Sequence, residues 1–256
     1  SGRTPTTHIL KPPAQPELDG FEINEHFCLN LAAALGIAAA RSQVQLFGGQ
    51  PAIIVERYDR AWSKGGGVFR VHQEDTCLAL SVPPWKKYEN EGGPGAPDIV
   101  DLFLRESDDP GADVGAFIDA LVFNWAIVGS DAHAKNYSLI IQPGSVRLAP
   151  LYDVLSVLPY SQEIPYREVK LAMRVDREYL AWKLRRRHWE GLAMRCGLDP
   201  DPVLDRAIEL VGAIPGAAHA TGTKLREEGL SEGTVDLLEF EVVEHSRQCL
   251  EVLTAG

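Results

Sequence analysis

The chain has 256 residues, of which 45% are hydrophobic and 24% charged, and this balance is typical of a globular protein with a substantial core. Its formal net charge of −11 argues against a free-standing nucleic-acid binder, because such proteins usually present a basic surface. The most apolar segment, 114–128, is shorter than the roughly 20 residues of a membrane-spanning helix, and the N-terminus has no apolar signal core, so we expect a cytoplasmic protein without membrane contact.

The first part of the chain is predicted to be rich in β-structure. The predicted elements are strands over 7–11, 44–47 and 52–56, and a helix over 24–35. Phe27, Leu31 and Leu35 recur at helical spacing in that helix, and Gly36 is a suitable stop. A Pro-rich connection over 12–20 separates the first strand from the helix.

Longer helices dominate the rest of the chain. Segment 114–128 is apolar nearly all round and predicts a central, buried helix. The other predictions are a hairpin of 137–141 with 146–148, a turn at 65–67, a loop over 85–97 and helices over 176–195, 200–214 and 231–253. The basic run 183–187 is interpreted as the solvated face of a helix. We therefore predict an α+β fold with a small β-rich lobe over 1–58, a larger α-helical lobe over 59–256 and a hinge near 56–60.

The most informative polar residues lie in segment 129–138, GSDAHAKNYS. Asp131 and Asn136 form a D-x-H-x-x-N pattern there, and Asp153 follows the predicted hairpin. Phosphoryl transfer needs one carboxylate to orient the attacking hydroxyl, and an amide oxygen with a second carboxylate to hold Mg²⁺ against the phosphates. A lone Asp is more often a helix cap, so it is the ordered combination that predicts a kinase-like site.

Two further places are candidates for nucleotide contacts. Lys11 ends the first predicted strand and is placed to reach phosphates, and Glu25 on the next helix is its candidate partner. Taken alone, Lys11 is a strand-end lysine beside two prolines. Residues 55–58 stand where a hinge offers backbone groups to adenine; otherwise Glu56 and Arg57 form a surface ion pair of small energetic value.

These residues resemble the C-terminal kinase region of HipA proteins along nearly the whole chain. The matching stretches are TPTTHILKPP (4–13), NEHFCLNLAAALG (24–36), VERYDR (55–60), HQEDTCLAL (72–80), KYENEGGPG (87–95), GSDAHAKNYS (129–138), LAPLYDVLS (148–156) and KLAMR (170–174). Several of them are long and unusual, and their order is the same. The resemblance implies a two-lobed protein-kinase-like fold with a partial N-lobe.

The same resemblance implies a role for each polar residue. Asp131 would be the catalytic residue. The ATP-binding residues would be Lys11, Glu25, Glu56, Arg57, Tyr58, His133, Asn136, Tyr152 and Asp153, with Asn136 and Asp153 as the Mg²⁺ ligands.

The resemblance also implies a biological role. The protein would be a Ser/Thr kinase toxin that uses ATP and Mg²⁺ to phosphorylate a serine of an aminoacyl-tRNA synthetase, typically the glutamyl enzyme, and so arrests growth. A small helix-turn-helix antitoxin similar to HipB would bind it and supply the DNA contacts. One departure is that family members carry a Gly-rich, phosphate-covering loop before the lysine strand, whereas the glycines at 48–49 and 65–67 follow Lys11. We therefore expect weak ATP binding and poor catalysis from this chain alone.

Two alternatives stay open. Small-molecule kinases of the aminoglycoside/choline type, and lipid kinases, use a similar D-x-H-x-x-N loop, and a panel of acceptors would separate the small-molecule kinases from a protein kinase. A kinase-like subunit that binds an antitoxin or target without turnover is the second alternative, and Mg²⁺-dependent nucleotide binding would distinguish it. A Ser-His-Asp hydrolase and a dinucleotide-binding domain are disfavoured, because neither a G-x-S-x-G elbow nor a strand followed by G-x-G-x-x-G occurs.

Overall fold

A computed structural model of the chain describes residues 5–13 and 19–255. Most of the Pro-rich connection predicted over 12–20 lies outside these residues. The strands of the described part are β1 (His8–Lys11), β2 (Ser42–Phe47), β3 (Gln50–Glu56), β4 (Arg60–Trp62), β5 (Val68–Arg70), β6 (His72–Asp75), β7 (Ser138–Gln142), β8 (Ser145–Leu148), β9 (Lys170–Val175) and β10 (Glu178–Leu180). The α-helices are α1 (Phe21–Ala34), α2 (Thr76–Ala79), α3 (Ala96–Glu106), α4 (Pro110–Ala126), α5 (Arg186–Arg195), α6 (Pro200–Glu227) and α7 (Glu232–Thr254).

The N-terminal sheet has β3 at its centre, with β1 and β2 antiparallel on either side. Side chains alternate across a strand, so Ile53 and Val55 of β3 point to the same face, where they form a small buried cluster with Ala40. The register places Lys11 of β1 opposite Ile53. The three predicted strands are confirmed, and the two of the hairpin are longer than predicted.

Helix α1 is buried along most of its length because it packs between this sheet and helices α6 and α7. It begins at Phe21, after Gly20, which has φ 73°. A Cβ at position 20 would lie 2.6 Å from Thr234 Cγ2, so both the backbone conformation and the space favour glycine there. The burial of α1 carries Glu25 into the interior, where its side chain has no exposed surface.

Helix α4 confirms the prediction of a central helix. It begins after Asp109, whose side chain accepts a hydrogen bond from the Ala112 amide. Phe117 lies fully buried in edge-on contact with Phe103 and Tyr137, at ring-centre distances of 5.7 and 4.9 Å. One large apolar core surrounds α4 and extends to α6 and α7.

The helix predicted over 176–195 is wrong in its first half. Strands β9 and β10 form a hairpin there, and only Arg186–Arg195 is helical. The predicted range begins in the turn of this hairpin, where Asp176 has φ 55°, which no residue of a right-handed helix adopts. The basic run 183–187 therefore crosses the start of α5 and does not form one face of a helix.

Other elements differ from prediction mainly in extent. Helix α6 continues through Pro215 to Glu227, whereas the predicted helix ends at 214. Helix α3 and the β4–β5 hairpin were not predicted, although the turn at 65–67 lies in that hairpin. Strand β6 pairs with β7 and makes the predicted β7–β8 hairpin a three-stranded sheet. The lobe boundary at 58/59 stays a prediction. Within the described ranges, none of the helices is both long and apolar enough to cross a membrane.

Candidate active site

The structure brings Lys11 and Glu25 together, as the sequence predicts. The Lys11 ammonium lies 2.8 Å from Glu25 Oε1 and 2.6 Å from Asp153 Oδ1. Lys11 ends β1, Glu25 lies in the second turn of α1, and Asp153 follows β8. One ammonium group therefore connects the N-terminal sheet, its helix and the segment after the β7–β8 hairpin.

Burial and charge act in opposite directions on this ion pair. Burial by itself lowers the pKa of Lys11, but the carboxylates of Glu25 and Asp153 outweigh it and raise that pKa. Burial raises the pKa of Glu25, and Lys11 only partly offsets this effect. Glu25 thus depends on Lys11 for its counter-charge, and a residue without a cation at position 11 would leave the carboxyl buried alone.

Asp153 and Asn136 form the next part of the site. Asn136 Nδ2 donates to Asp153 Oδ2 at 3.3 Å, and Asn136 Oδ1 is buried and accepts no hydrogen bond from any residue that the structure describes. The Asp153 side chain is 46% exposed and its backbone is left-handed, with φ 60°. Aspartate and asparagine tolerate this conformation better than most residues.

This pair of oxygen donors fits a Mg²⁺ ion. An orphaned amide oxygen and a solvent-accessible carboxylate are hard ligands of the kind that Mg²⁺ prefers. Within residues 5–13 and 19–255, no group of three or more His, Cys, Asp or Glu side chains is arranged to hold a metal. A Mg²⁺ ion here would therefore need phosphate oxygens and water for its remaining positions, which is its usual coordination in nucleotide sites.

Asp131 is an exposed residue in the loop between α4 and β7, whose residues His133 and Asn136 are buried. The Tyr88 hydroxyl donates to Asp131 Oδ1 at 2.6 Å, and the Tyr88 ring meets His133 edge-on at 5.1 Å. Burial, with the bond to Asp131, raises the pKa of Tyr88 to about 12, so this hydroxyl keeps its proton. No sequence pattern predicted a role for Tyr88, whose one signal was its place in the matching stretch KYENEGGPG.

His133 is 6% exposed, and its Nδ1 has no hydrogen-bond partner within the described residues. Burial lowers the pKa of His133, against the opposite effect of Asp131, so the ring is neutral at pH 7. Its backbone amide donates to Asp131 O at 2.8 Å, and its carbonyl accepts from the Asn136 amide at 2.9 Å. These two bonds fix the separation of Asp131 and Asn136 in a tight loop.

A cavity of about 280 Å³ adjoins the Lys11 ion pair. Its lining includes all three predicted hinge residues and three apolar side chains: Glu56, Arg57, Tyr58, Ile9, Ala40 and Val55. Two hinge amides are already used within the sheet, because the Glu56 amide donates to Arg41 O at 2.8 Å and the Arg57 amide to Thr7 O at 2.9 Å. Among the described residues, the Tyr58 amide has no such acceptor and is the hinge donor left for a ligand.

The surface ion pair considered for Glu56 and Arg57 does not form. The Arg57 guanidinium instead makes two hydrogen bonds to Asp59, at 2.9 and 2.8 Å. Asp59 is nearly buried and also meets Arg60 at 2.7 Å, so it is the better-placed anion. The Glu56 side chain is consequently left at the cavity mouth.

Tyr58 and Tyr152 connect the hinge to the Asp131 loop. Their ring centres lie 5.5 Å apart in the cavity wall. The Tyr152 hydroxyl donates to Lys135 O at 2.6 Å and lies 2.7 Å from Ser138 Oγ. The Tyr58 hydroxyl donates to Gln73 Oε1 of β6 at 3.1 Å. The wall of the cavity is thus held by the same loop that carries Asp131 and Asn136.

A small sheet whose Lys11 pairs with the buried Glu25 and also contacts Asp153, beside Asn136 of the helical region, defines a protein-kinase-like fold. The sequence profile of the HipA-like C-terminal domain matches residues 1–218, and the chain belongs to this HipA-like kinase family. The resemblance found from the sequence is thereby confirmed.

Curated relatives carry kinase names. The candidate kinase Y4mE of Sinorhizobium fredii is 40% identical over 206 residues, which cover 80% of this chain and 48% of that protein. The serine/threonine-protein kinase toxin HipA of Shewanella oneidensis is 33% identical over 190 residues, covering 70% of this chain and 42% of that protein. The chain spans about half the length of the curated relatives it matches.

Solved structures agree on the fold. HipA of Shewanella oneidensis, determined with HipB and its operator DNA, superposes with a TM-score of 0.85 at 25% identity, covering 97% of this chain and 59% of that one. The Helicobacter pylori proinflammatory kinase CtkA superposes with a TM-score of 0.62 at 13% identity, covering 96% of this chain and 85% of that one. The predicted α+β, kinase-like fold is confirmed by the first of these.

Proposed function

We propose that this chain is the catalytic core of a HipA-type Ser/Thr protein kinase, which transfers the γ-phosphate of ATP to a serine hydroxyl of another protein. The observation that carries the proposal is the Lys11 ammonium, held between Glu25 and Asp153 while Asn136 lies beside Asp153. A lysine fixed by a buried glutamate and facing a metal-binding Asp is the arrangement that protein kinases need before transfer.

Each residue then has a role in binding the nucleotide. Ile9, Ala40 and Val55 give the adenine an apolar wall, and the Tyr58 amide donates a hydrogen bond to it. Lys11 exchanges its contact with Asp153 for phosphate oxygens, while Glu25 keeps it in place. Asn136 and Asp153 would hold Mg²⁺, which would neutralise negative charge on the phosphates.

Asp131 acts on the acceptor. It accepts the proton of the serine hydroxyl as the serine oxygen forms its bond to the γ-phosphorus. The bond from that phosphorus to the bridging oxygen breaks, and ADP leaves. Tyr88 keeps the Asp131 carboxylate oriented through Oδ1. Because the chemistry itself is simple, positioning by these side chains supplies most of the rate.

We further propose a cytoplasmic toxin that phosphorylates an aminoacyl-tRNA synthetase, with the glutamyl enzyme as first candidate, and is bound by a HipB-like helix-turn-helix antitoxin. The Shewanella structure supports the antitoxin partner, because that HipA was determined together with HipB and operator DNA. The net charge of −11 supports DNA contact through the partner and not through this chain.

Calorimetric titration of Mg²⁺–ATP tests the nucleotide site. Asp153→Asn keeps the left-handed backbone that Ala would strain, but it removes the charge. Asp176→Asn is its matched control, because Asp176 also has positive φ, at 55°, and lies outside the cavity. We expect Mg²⁺-dependent binding in the parent and in Asp176→Asn, and its loss in Asp153→Asn. A parent that binds no nucleotide would favour the non-catalytic subunit instead.

A panel of acceptors tests which molecule receives the phosphate. Incubation with labelled ATP and glutamyl-tRNA synthetase is expected to label a serine of that enzyme. Aminoglycosides and choline serve as the competing acceptors. Labelling of a small molecule in place of protein would assign the chain to the small-molecule kinases.

A further inference from the structure

A second cavity, of about 190 Å³, lies on the other side of Asp153. Asp153 lines both this cavity and the cavity of about 280 Å³ beside Lys11, which we call the nucleotide cavity. Lys11 lines only the nucleotide cavity, and Asp131 lines only the second one. If ATP phosphates lie at Lys11 and Asp153, an attacking hydroxyl must approach from the side of Asp131. The second cavity, which we call the acceptor cavity, therefore opens where the acceptor arrives.

The wall of the acceptor cavity is apolar. Its apolar side chains are Phe21, Ala132, Leu155, Val157, Tyr160 and Ile164. The buried polar side chains of the wall already have partners within the protein. Ser156 Oγ donates to Ile127 O at 2.6 Å, and Asn124 Nδ2 donates to Ala120 O at 2.8 Å. The wall thus offers a ligand an apolar surface to contact but few free hydrogen-bonding groups.

The charges at the mouth narrow the choice of ligand. Asp131 and Asp153 are the charged residues of the lining, and no Lys or Arg is among them. A phosphate or carboxylate would meet two carboxylates without a cation to bind it, so an anionic ligand is disfavoured. The cavity also occupies less space than the nucleotide cavity, and it fits a single side chain better than a sugar-ring antibiotic.

We propose that the acceptor cavity binds an apolar side chain of the substrate protein, located within two residues of the serine that is phosphorylated. This inference rests on the proposed kinase function and adds a substrate class to it. Tyr88 occupies Oδ1 of Asp131, and no other hydrogen bond to that carboxylate occurs among the described residues, so Oδ2 is left for the serine hydroxyl. Consecutive Cα atoms lie 3.8 Å apart, which brings a neighbouring side chain to the cavity once the serine is at Asp131.

The test is a position-scanning library of serine peptides, phosphorylated with γ-labelled ATP. Ile164 is the residue to change, because its side chain lines the cavity while its backbone amide, bonded to Tyr160 O at 2.8 Å, is unaffected by substitution. Ile164→Trp narrows the cavity and Ile164→Ala widens it. Ile208→Trp is the matched control, because Ile208 is also partly buried but lies in α6, outside both cavities.

In the parent we expect about a tenfold preference for apolar residues at one position near the serine, which is the selectivity that an apolar pocket provides. Ile164→Trp should reduce kcat/KM for the best peptide by about tenfold. Ile164→Ala should shift the preference towards larger side chains. Affinity for Mg²⁺–ATP should not change in either variant, and Ile208→Trp should retain the parental preference.

Binding of Mg²⁺–ATP, measured in parallel, separates the two ways to fail. A parent that binds nucleotide but phosphorylates serine peptides regardless of their neighbours, or phosphorylates none, overturns the inference and leaves the nucleotide site standing. Transfer to aminoglycosides or choline also overturns it, because the cavity would then belong to a small molecule. A parent that does not bind Mg²⁺–ATP overturns the proposed function, and the inference with it.

Discussion

The N-terminal sheet and the region around α4 bury their side chains very differently. The sheet has a small cluster at Ile53 and Val55, and it leaves Leu46 71% exposed and Phe47 46% exposed. Around α4, in contrast, large side chains such as Phe117 and Trp125 are 2% exposed or less. Most of the hydrophobic stabilisation therefore belongs to the helical region, because it scales with buried apolar area.

The polar groups of the candidate site, in contrast, are divided between the two regions. Lys11 belongs to the thinly packed sheet, whereas Asp131 and Asn136 lie in a loop of the helical region. Because the Lys11–Asp153 bond crosses between them, the proposed phosphoryl transfer depends on the relative placement of the two regions. Substitution of the exposed Asp131 should therefore impair transfer with little loss of stability, and substitutions in the large core should lower stability.

The largest effect is expected from Asp131→Asn. The carboxylate is exposed, so the loss of its charge should change the free energy of unfolding by less than about 0.5 kcal/mol. Loss of a general base should slow phosphoryl transfer by about 100- to 10,000-fold. Single-turnover assays with labelled ATP, together with urea denaturation, measure the two quantities. Retention of more than a tenth of the parental rate would contradict the assigned role.

Phe117→Ala should instead have its main effect on the free energy of unfolding. Removal of a fully buried phenylalanine costs about 3–5 kcal/mol, because the lost contacts leave a cavity between Phe103 and Tyr137. Leu46→Ala on the sheet is the matched control, and its exposed side chain should change stability by less than about 0.5 kcal/mol. Urea denaturation monitored by circular dichroism compares them. Equal losses of unfolding free energy in the two variants would refute the contrast between the two regions.

Tyr88→Phe should have a smaller effect, confined to turnover. The variant keeps the ring beside His133 and removes the hydroxyl that donates to Asp131. A hydrogen bond to a charged group contributes about 1.5–3 kcal/mol, so kcat should fall by about 10- to 150-fold, while KM for ATP stays the same. Steady-state kinetics at saturating acceptor measure both. A rise in KM for ATP with unchanged kcat would show that Tyr88 acts on the nucleotide instead.

The smallest expected effect concerns pH and the helical core. His245 is buried, its Nδ1 donates to Ala126 O at 2.8 Å, and its Nε2 therefore accepts from the Tyr166 hydroxyl at 2.7 Å. Burial lowers the pKa of His245 below its ordinary value of 6.5. In the unfolded chain His245 therefore binds a proton more readily than in the folded protein. The contribution of His245 to the stability of the fold is complete above pH 6.5, and it is lost as the pH falls towards the lowered pKa of the folded state.

Unfolding free energies measured from pH 7.5 to 5.5 test this expectation. The parent should lose on the order of 1 kcal/mol more than His245→Gln over this range. His219→Gln is the control, because the His219 side chain is 75% exposed and remote from the core. Identical pH slopes for the parent and His245→Gln would exclude His245 as the source.

The fold was predictable where local pattern and packing agree. Helices α1 and α4 carry long apolar periodicities, and both were found. The β9–β10 hairpin was missed because its turn places Asp176 at φ 55°, a conformation that a glycine would have signalled. The extension of α6 past Pro215 was missed for a different reason. Ala218 and Leu225 are buried against α7, and this packing outweighs the hydrogen bond that proline removes.

The residues of the candidate site were predictable where their spacing and order in the sequence identify them. Asp131, Asn136 and Asp153 were predicted from their places around one hairpin, and Lys11 from its place at the end of the first strand. The structure places both Lys11 and Asn136 in contact with Asp153. The Tyr88 contact to Asp131 joins residues 43 positions apart, and no local pattern encodes it. The use of the Glu56 and Arg57 amides likewise depends on distant backbone partners.

The left-handed backbone at Asp153 limits which substitutions can occur there without disturbing the fold. Few side chains tolerate φ 60°, and asparagine, a single-base change away from aspartate, is one of them. The mutation that removes the charge is therefore among the few that would leave the fold intact. In a relative that carries asparagine at this position, we therefore expect the same backbone and fold, without the carboxylate that we propose as a Mg²⁺ ligand.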